Sequence, residues 1–99
     1  KLEAHIGYFV PPYDEELLNM LGYMSLDMGL PERSLAFFLM GIEYFPLSAN
    51  AYDSLADYYV AQKDFENALK YVSIAFELSG SDYHKERMQK YIDATTSND

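Results

Sequence analysis

Small residues recur at matched positions in the two halves of this chain, 34 residues apart. The matched pairs are Gly22 and Ala56, Ser34 and Ala68, and Gly41 and Ala75. Two antiparallel helices approach closely only where small side chains face each other, and large residues fill the space between such contacts. The spacing therefore predicts a tandem repeat of helical hairpins. We expect an all-α fold, an α-α superhelix of two hairpins followed by a C-terminal capping helix.

Helical periodicity places the individual elements. Apolar residues between positions 65 and 76 recur on one helical face, and those between 35 and 45 do the same. Pro31 suits a first helical turn, Asp64 is a good N-cap, and Pro46 ends the helix before it. The predicted helices span about 14–28, 32–45, 49–62, 65–79 and 82–94.

The last predicted helix follows Gly80, with Ser81 or Asp82 as its cap, and departs from the repeat. Glu86 and Gln89 occupy positions where the repeat has a large residue and a leucine. We expect a narrow apolar face to pack inward and three basic residues to point into solvent: Met88, Tyr91 and Ile92 inward, and Lys85, Arg87 and Lys90 outward. A helix of this kind covers the end of a stack and presents its polar side to water.

The predicted organisation of the chain is sequential. It comprises a connector over residues 1–13, a first repeat over 14–48, a second repeat over 49–81, the capping helix over 82–94 and a disordered tail over 95–99. Phe9, Val10 and the pair Pro11-Pro12 predict an extended stretch that connects to an upstream segment. Two repeats are fewer than the three usually needed for an independent stack, so we expect the domain to pack on another surface.

Composition narrows the possible functions. The 99 residues make one domain, and no apolar stretch approaches the ~20 residues that span a bilayer. Sixteen acidic residues against seven basic ones give a formal net charge of −9, which disfavours nucleic acids and anionic membranes. The absence of cysteine removes disulfides, thiolate metal sites and a thiol nucleophile, and it leaves the compartment open.

Both repeats resemble the tetratricopeptide repeat, from Glu15 to about Asp82. The second repeat carries the pattern of large, small and aromatic residues at Tyr52, Leu55, Ala56, Tyr59, Ala68, Val72 and Ala75. The first repeat departs from this pattern at Ser25, where an aromatic residue is usual. The resemblance implies stacked helical hairpins that bind other proteins.

A narrower resemblance is to the repeat tail of some bacterial serine hydrolases, both α/β-hydrolase esterases and beta-lactamase-like enzymes. The matching residues are Pro11, Pro12, Leu18, Asn19, Leu21, Gly22 and Tyr23, then Pro46, Ser48, Asn50, Tyr52, Asp53, Ser54 and Leu55. This resemblance implies that the nucleophile of the parent protein lies upstream, in a protein of the bacterial cytoplasm or periplasm. This chain has no G-x-S-x-G segment of its own.

The residues of this chain offer no catalytic or metal-binding pattern. His5 and His84 are far apart and have no spacing typical of metal ligands. Ser54 beside Asp53 suggests a nucleophile, but a serine needs a base, and no histidine lies near it in the pattern. We therefore expect no catalytic residue, no metal and no cofactor.

In stacked repeats, the first helix of each pair lines a concave groove. The predicted groove residues are Glu16, Asn19, Tyr23, Asp27, Asn50, Asp53 and Asp57. Because none is basic, we do not expect them to capture a terminal carboxylate, and a basic, neutral or hydroxyl-rich partner fits better. Four further residues are candidates either for a covering interface or for extra core packing: Phe9, Val10, Phe37 and Tyr44.

These patterns predict a non-catalytic scaffold for protein–protein or domain–domain interaction. The leading interpretation is a C-terminal domain of a larger bacterial hydrolase, which packs on the catalytic unit or forms a homodimer. The alternative is a free-standing adaptor that binds an extended basic or neutral peptide. A small enzyme is the third possibility, and the lack of a nucleophile–base pair argues against it.

Overall fold

A computed structural model of the chain describes residues 13–96, and the fold is all-α. Its helices are α1 (Glu15–Asp27), α2 (Pro31–Tyr44), α3 (Ala49–Ala61), α4 (Phe65–Ser79) and α5 (Asp82–Thr96). Every predicted bound lies within two residues of the observed one. The largest difference is at the end of α5, which includes two residues that were predicted to belong to a disordered tail.

Local side chains determine where the helices begin and end. Asp14, Ser48 and Asp64 each accept a hydrogen bond from a backbone N–H of the following first turn. Pro31 lies in the first turn of α2, where its missing N–H costs nothing. Gly80 ends α4 in the left-handed conformation, with φ of 65°, which a residue without a Cβ adopts most readily.

The predicted small residues lie at the contacts between helices. Gly22, Ser34, Gly41, Ala56, Ala68 and Ala75 are all buried. At Gly22 the contact is very close, because a Cβ on this residue would lie 2.3 Å from Cε1 of Phe38. α1 pairs with α2 and α3 pairs with α4, and the two hairpins meet through α2–α3 and α1–α3 contacts. α5 packs against α4, so the helices form two hairpins followed by one further helix.

Two apolar clusters run along the stack. The first joins Phe38 of α2 to Leu55 and Tyr58 of α3. The second is built from α3, α4 and α5 and contains Ala56, Ala68, Val72 and Tyr91. Tyr59 and Tyr71 pack against both clusters, and their rings stack at 5.6 Å with an interplanar angle of 5°. Because these two tyrosines are shared, the two hairpins have a continuous core.

Candidate functional site

A partly buried polar cluster is formed by side chains of α1, α3 and α5. It consists of Tyr23, Asp53, Asp57, His84 and Arg87, and we refer to it as the Arg87 cluster. The 34-residue period explains how these residues meet, because Tyr23 and Asp57 occupy equivalent positions of successive repeats. Asp53 and Arg87 are also 34 residues apart. Equivalent positions of adjacent helices face each other across the stack.

The geometry of the cluster is that of a paired cation between two carboxylates. Nη2 of Arg87 donates to Oδ1 of Asp57 over 2.6 Å, and Nε of Arg87 lies 2.9 Å from Oδ1 of Asp53. The contact with Asp53 is an ion pair without hydrogen-bond alignment, and within residues 13–96 neither of its two atoms has a hydrogen-bond partner. Tyr23 Oη donates to the other oxygen of Asp57 over 2.5 Å. The cluster therefore ties α5 and α1 to α3.

Burial and neighbouring charges both shift the pKa values of groups in the cluster. Burial raises the pKa of Asp53 above its usual value, and the positive charge of Arg87 opposes that rise. Burial lowers the pKa of Arg87, but the hydrogen bond and charge of Asp57 and the charge of Asp53 outweigh it, so the pKa lies above its usual value. Burial, together with the hydrogen bond to Asp57, raises the pKa of Tyr23. Arg87 is thus held as a cation, and Tyr23 is held as a neutral donor.

His84 connects this cluster to the turn before α5. Its Nδ1 lies 2.7 Å from Oγ of Ser79 and 3.0 Å from Oγ of Ser81, while its Nε2 lies 3.7 Å from Oδ1 of Asp53. The backbone N–H of His84 also donates to Oγ of Ser81. This is the hydrogen bond of an N-cap, so of the two predicted candidates, Ser81 and Asp82, Ser81 is the cap of α5.

Ser79, His84 and Asp53 are the residue types of a hydrolytic triad, but their geometry fits a helix cap better. In a triad the histidine is hydrogen-bonded to both the serine and the carboxylate. Here the distance from His84 to Asp53 is 3.7 Å, and the same carboxylate oxygen lies closer to Arg87. The other imidazole nitrogen is shared by two serine hydroxyls that hold the turn before α5. The arrangement holds α5 in place.

The prediction for Arg87 is wrong, and the cluster changes the predicted groove. Arg87 does not point into solvent; it packs over the rings of Tyr83 and Tyr91 and reaches both carboxylates of α3. As a result Asp53 is only 7% exposed and faces Arg87 rather than an open groove. The remaining predicted groove residues fall into two groups: Glu16, Asp27 and Asn50 are exposed, and Asn19, Tyr23 and Asp57 are half-buried.

A second feature is a row of apolar side chains along α1. Leu17 is half-buried, and Met20, Met24 and Met28 are 50%, 48% and 68% exposed. Their spacing of three or four residues places them along one side of the helix. We call this row the α1 end face. Most large apolar side chains elsewhere in the described part of the chain are at least partly covered.

The α1 end face points away from the rest of the stack. The side of α1 that contains Leu18 and Gly22 is buried against α2. A second side carries Glu15, which accepts a hydrogen bond from Ser48, and Tyr23, which donates one to Asp57. At about 100° per residue, the α1 end face lies on the remaining side. Within residues 13–96, the helices that pack against α1 are α2 and α3.

The second repeat shows how the side of α3 equivalent to the α1 end face is packed. One period later, the residues equivalent to Leu17, Met20 and Met24 are Ala51, Ser54 and Tyr58. All three of these α3 residues are buried, and Tyr58 packs in the first apolar cluster with Phe38 of the preceding hairpin. The same side of the first helix is therefore covered by a preceding helical hairpin in the second repeat and is exposed in the first.

The predicted interface residues are only partly located by the structure. Phe37 and Tyr44 are both half-buried on α2. Phe37 lies on the opposite side of α2 from Leu35 and Ile42, which pack in the first apolar cluster. Phe9 and Val10 lie outside the described residues. Sequence reasoning did not single out the methionine row, although its spacing along a predicted helix was a visible signal.

Comparison with known proteins gives no family for the chain: no protein-family model and no curated protein matches it. Among the described helices, none combines the length and apolar character that crossing a bilayer requires. Residues 13–96 also contain no group of three or more histidine and carboxylate side chains that could hold a metal ion. The two features that call for a functional explanation are the Arg87 cluster and the α1 end face.

Proposed function

We propose that this chain is a non-catalytic scaffold that binds another protein or domain through the α1 end face. The observation that carries the proposal is the exposure of Met20, Met24 and Met28, which are about half or more accessible to solvent. Leaving such a row in water forgoes the stabilisation of roughly 25 cal/mol per Å² that burial of apolar surface provides. Methionine is also common at surfaces that bind partners, because its side chain adapts to different shapes.

The leading partner is the upstream catalytic domain of a bacterial hydrolase, an esterase or a beta-lactamase-like enzyme. Support for this partner is the sequence resemblance alone, with residues such as Leu21, Gly22 and Tyr23 of the first repeat and Tyr52 and Leu55 of the second. The α1 end face suits this arrangement, because it is the end of the stack nearest to the start of the chain. Docking there would supply the hairpin-like surface that two repeats lack.

A catalytic role for the domain itself has less support. The nearest approach to a catalytic constellation is Ser79 with His84 and Asp53, and its contacts are those of a helix cap and an ion pair. A direct test is esterase turnover by the 99-residue chain with an activated ester. Turnover that is lost in Ser79→Ala and His84→Ala variants would refute the scaffold proposal.

The alternative function is a free-standing adaptor that binds an extended basic or neutral peptide in the groove. Glu16, Asp27 and Asn50 favour this alternative, since these three predicted groove residues are exposed. Asp53 and Asp57 offer little to such a peptide, because Arg87 already pairs with both. This competition makes the groove the weaker candidate.

The proposal can be tested on the polypeptide encoded by the complete gene. A Met20→Glu/Met24→Glu variant should release the docked scaffold, so that its thermal unfolding separates from that of the remainder and moves to the midpoint of the isolated 99-residue chain. Leu47→Glu is the matched control, because Leu47 is 82% exposed and lies in the α2–α3 connection. If both variants unfold as the wild type does, the α1 end face is not the docking surface.

A further inference from the structure

We propose that the α1 end face binds an amphipathic helix whose apolar ridge is flanked by lysine and arginine, rather than a second copy of this chain. This inference rests on the proposed function, since it names the chemistry of the partner for the same surface. It is carried by two independent observations: the way in which the repeat covers the equivalent surface of α3, and the charge of the first hairpin.

The first observation fixes the shape of the partner. On α3, the positions equivalent to Leu17, Met20 and Met24 are buried by helices of the preceding hairpin. Helices pack by placing the ridges of one into the grooves of another, and a row of side chains at four-residue spacing is such a ridge. A surface with the same backbone geometry accepts a helix in the same manner. The partner is therefore expected to present a helix with apolar residues at i, i+3, i+4 and i+7.

The second observation fixes the charge of the partner. Residues 13–48 contain six acidic side chains and one basic one, Arg33. Two of the acidic residues, Glu16 and Asp27, are exposed on α1 beside Met20 and Met24. No lysine or arginine occurs in α1 itself. A helix whose apolar ridge is bordered by lysine or arginine would place its cations beside these carboxylates and would associate faster at low ionic strength.

The same charge argues against a second copy as the occupant. Two copies joined through their α1 end faces would bring together two hairpins that each carry the same excess of acidic residues. Like charges placed across an interface cost free energy and suppress the wrong partner. Arg33, the one basic residue of the hairpin, cannot neutralise the six acidic residues of a facing copy.

A pair of synthetic peptides tests the inference. Each is an amphipathic helix of about 20 residues, long enough to be helical in isolation, and both have the same apolar ridge. One carries lysine on both flanks of the ridge and the other carries glutamate. Binding is followed on the full 99-residue chain by ¹H–¹³C spectra of its five methionine methyl groups. Met88 lies in the second apolar cluster and reports on the other end of the stack.

The expected result is that the lysine peptide shifts the methyl signals of Met20, Met24 and Met28 and leaves that of Met88 in place. It should bind at least about tenfold more tightly than the glutamate peptide, and added salt should reduce the difference. Equal binding of both peptides at these methyl groups would overturn the charge inference and leave the docking surface intact. Binding of neither peptide, with concentration-dependent shifts of the same methyl groups, would assign the face to a second copy and overturn the inference.

Two variants separate apolar docking from a general attraction between a cationic peptide and an acidic protein. Met24→Glu adds a negative charge within the face and should weaken binding of the lysine peptide about tenfold, because it interrupts the apolar ridge. Leu47→Glu adds the same charge outside the face and should leave the affinity unchanged or slightly higher. If Met24→Glu binds the lysine peptide as tightly as Leu47→Glu does, the attraction is only electrostatic and the inference fails.

Discussion

The first and the last helix of the described stack carry different kinds of residue at equivalent positions, those where the next helix would pack. In α1, Leu18, Gly22 and Ser25 are buried, and Gly22 lies against Phe38 of α2. The residues of α5 that are two periods later are Glu86, Lys90 and Asp93, and all three are exposed. Charged residues at these positions disfavour the packing of a second helix against this side of α5, since burying them would require removal of their hydration. This side of α5 is therefore suited to contact with water.

At the N-terminal end of the described stack, the exposed residues are apolar rather than charged. The α1 end face retains apolar side chains at positions that α3 buries, and it has no polar replacement for them. The comparison teaches that the two outer helices of the described part of the chain differ in what their exposed sides favour. At α5 the residues disfavour a further helix, whereas at α1 they favour one.

The largest expected effect on stability comes from removing the ion pairs that hold α5 to α3. Arg87→Met removes the cation between Asp53 and Asp57 and leaves a buried carboxylate without a partner, so we expect a loss of about 3 kcal/mol in the free energy of unfolding. Lys90→Met on the exposed side of the same helix is the matched control and should change stability by less than about 0.5 kcal/mol. Urea unfolding at pH 7 measures both. Equal effects of the two substitutions would show that the Arg87 cluster does not hold α5.

The same variant should respond to pH in a defined direction. Burial raises the pKa of Asp53, and Arg87 opposes that rise, so the pKa of Asp53 in Arg87→Met is higher still. A carboxyl whose pKa is higher in the folded than in the unfolded state favours folding below the unfolded pKa, and this contribution is lost as the pH rises through the folded pKa. The stability gap between the variant and the wild type should therefore be smaller at about pH 4.5 than at pH 7. When Asp53 is replaced by Asn in both proteins, the stability gap caused by Arg87→Met should no longer narrow at low pH. Persistence of the narrowing would assign the effect to another group.

The next effect tests the first hairpin. Gly22→Ala should destabilise the chain by about 2 kcal/mol, because the added Cβ meets the buried ring of Phe38 at 2.3 Å. Gly41→Ala is a matched control within a helix, since its Cβ would meet only the Cβ of Ala51, at 4.0 Å. We expect it to be neutral or to stabilise the chain by up to about 1 kcal/mol through helix propensity. Thermal unfolding of both variants measures the difference, and a Gly22→Ala variant as stable as Gly41→Ala would contradict the close packing of α1 on α2.

A smaller effect is expected for the hydrogen bond that joins α1 to α3. Tyr23→Phe removes the hydroxyl that donates to Asp57, and Asp57 keeps its bond to Arg87. We expect a loss of about 1 kcal/mol, since the site is only half-buried and one acceptor bond remains. Tyr13→Phe changes an exposed tyrosine in the same way and should have almost no effect on urea unfolding. A comparable loss in both variants would indicate that the bond between Tyr23 and Asp57 contributes nothing specific.

The smallest effect on stability is expected at the α1 end face. Met24→Glu replaces a side chain that is 48% exposed, so the free energy of unfolding of the 99-residue chain should change by less than about 0.5 kcal/mol. Near-neutral stability of the variant, together with weaker binding of the lysine-flanked peptide, is what distinguishes a binding surface from a core. A large destabilisation of the isolated chain would show that Met24 supports the fold instead.

Most of the fold could be predicted from the sequence, because the small residues and helix caps act locally. The 34-residue spacing of Gly22 and Ala56 predicted the hairpins, and both residues are buried at helix contacts. Asp64 and Pro31 located helix starts for reasons that involve only the adjacent turn: the side chain of Asp64 accepts a hydrogen bond from a backbone N–H there, and Pro31 lacks an N–H that would need a partner. The bounds of the helices follow from such local rules.

The Arg87 cluster was missed because it depends on contacts across the stack. Arg87 was predicted to face solvent because α5 is rich in charged residues, with Lys85, Glu86 and Lys90 close to it in sequence. Only the superposition of α5 on the repeat, which pairs Arg87 with Asp53, could have placed the cation beside the carboxylates. Prediction of the groove failed at Asp53 for the same reason, since the helix that covers it is the one that departs from the repeat pattern.

Amide hydrogen exchange tests most directly which end of the stack is the docking end. The comparison is between the 99-residue chain alone and the same chain saturated with the lysine-flanked helical peptide, read helix by helix. The account predicts that added protection in the complex is concentrated in α1, residues 15–27, and that α5, residues 82–96, exchanges at the same rate in both. Added protection in α5 with none in α1 would contradict it.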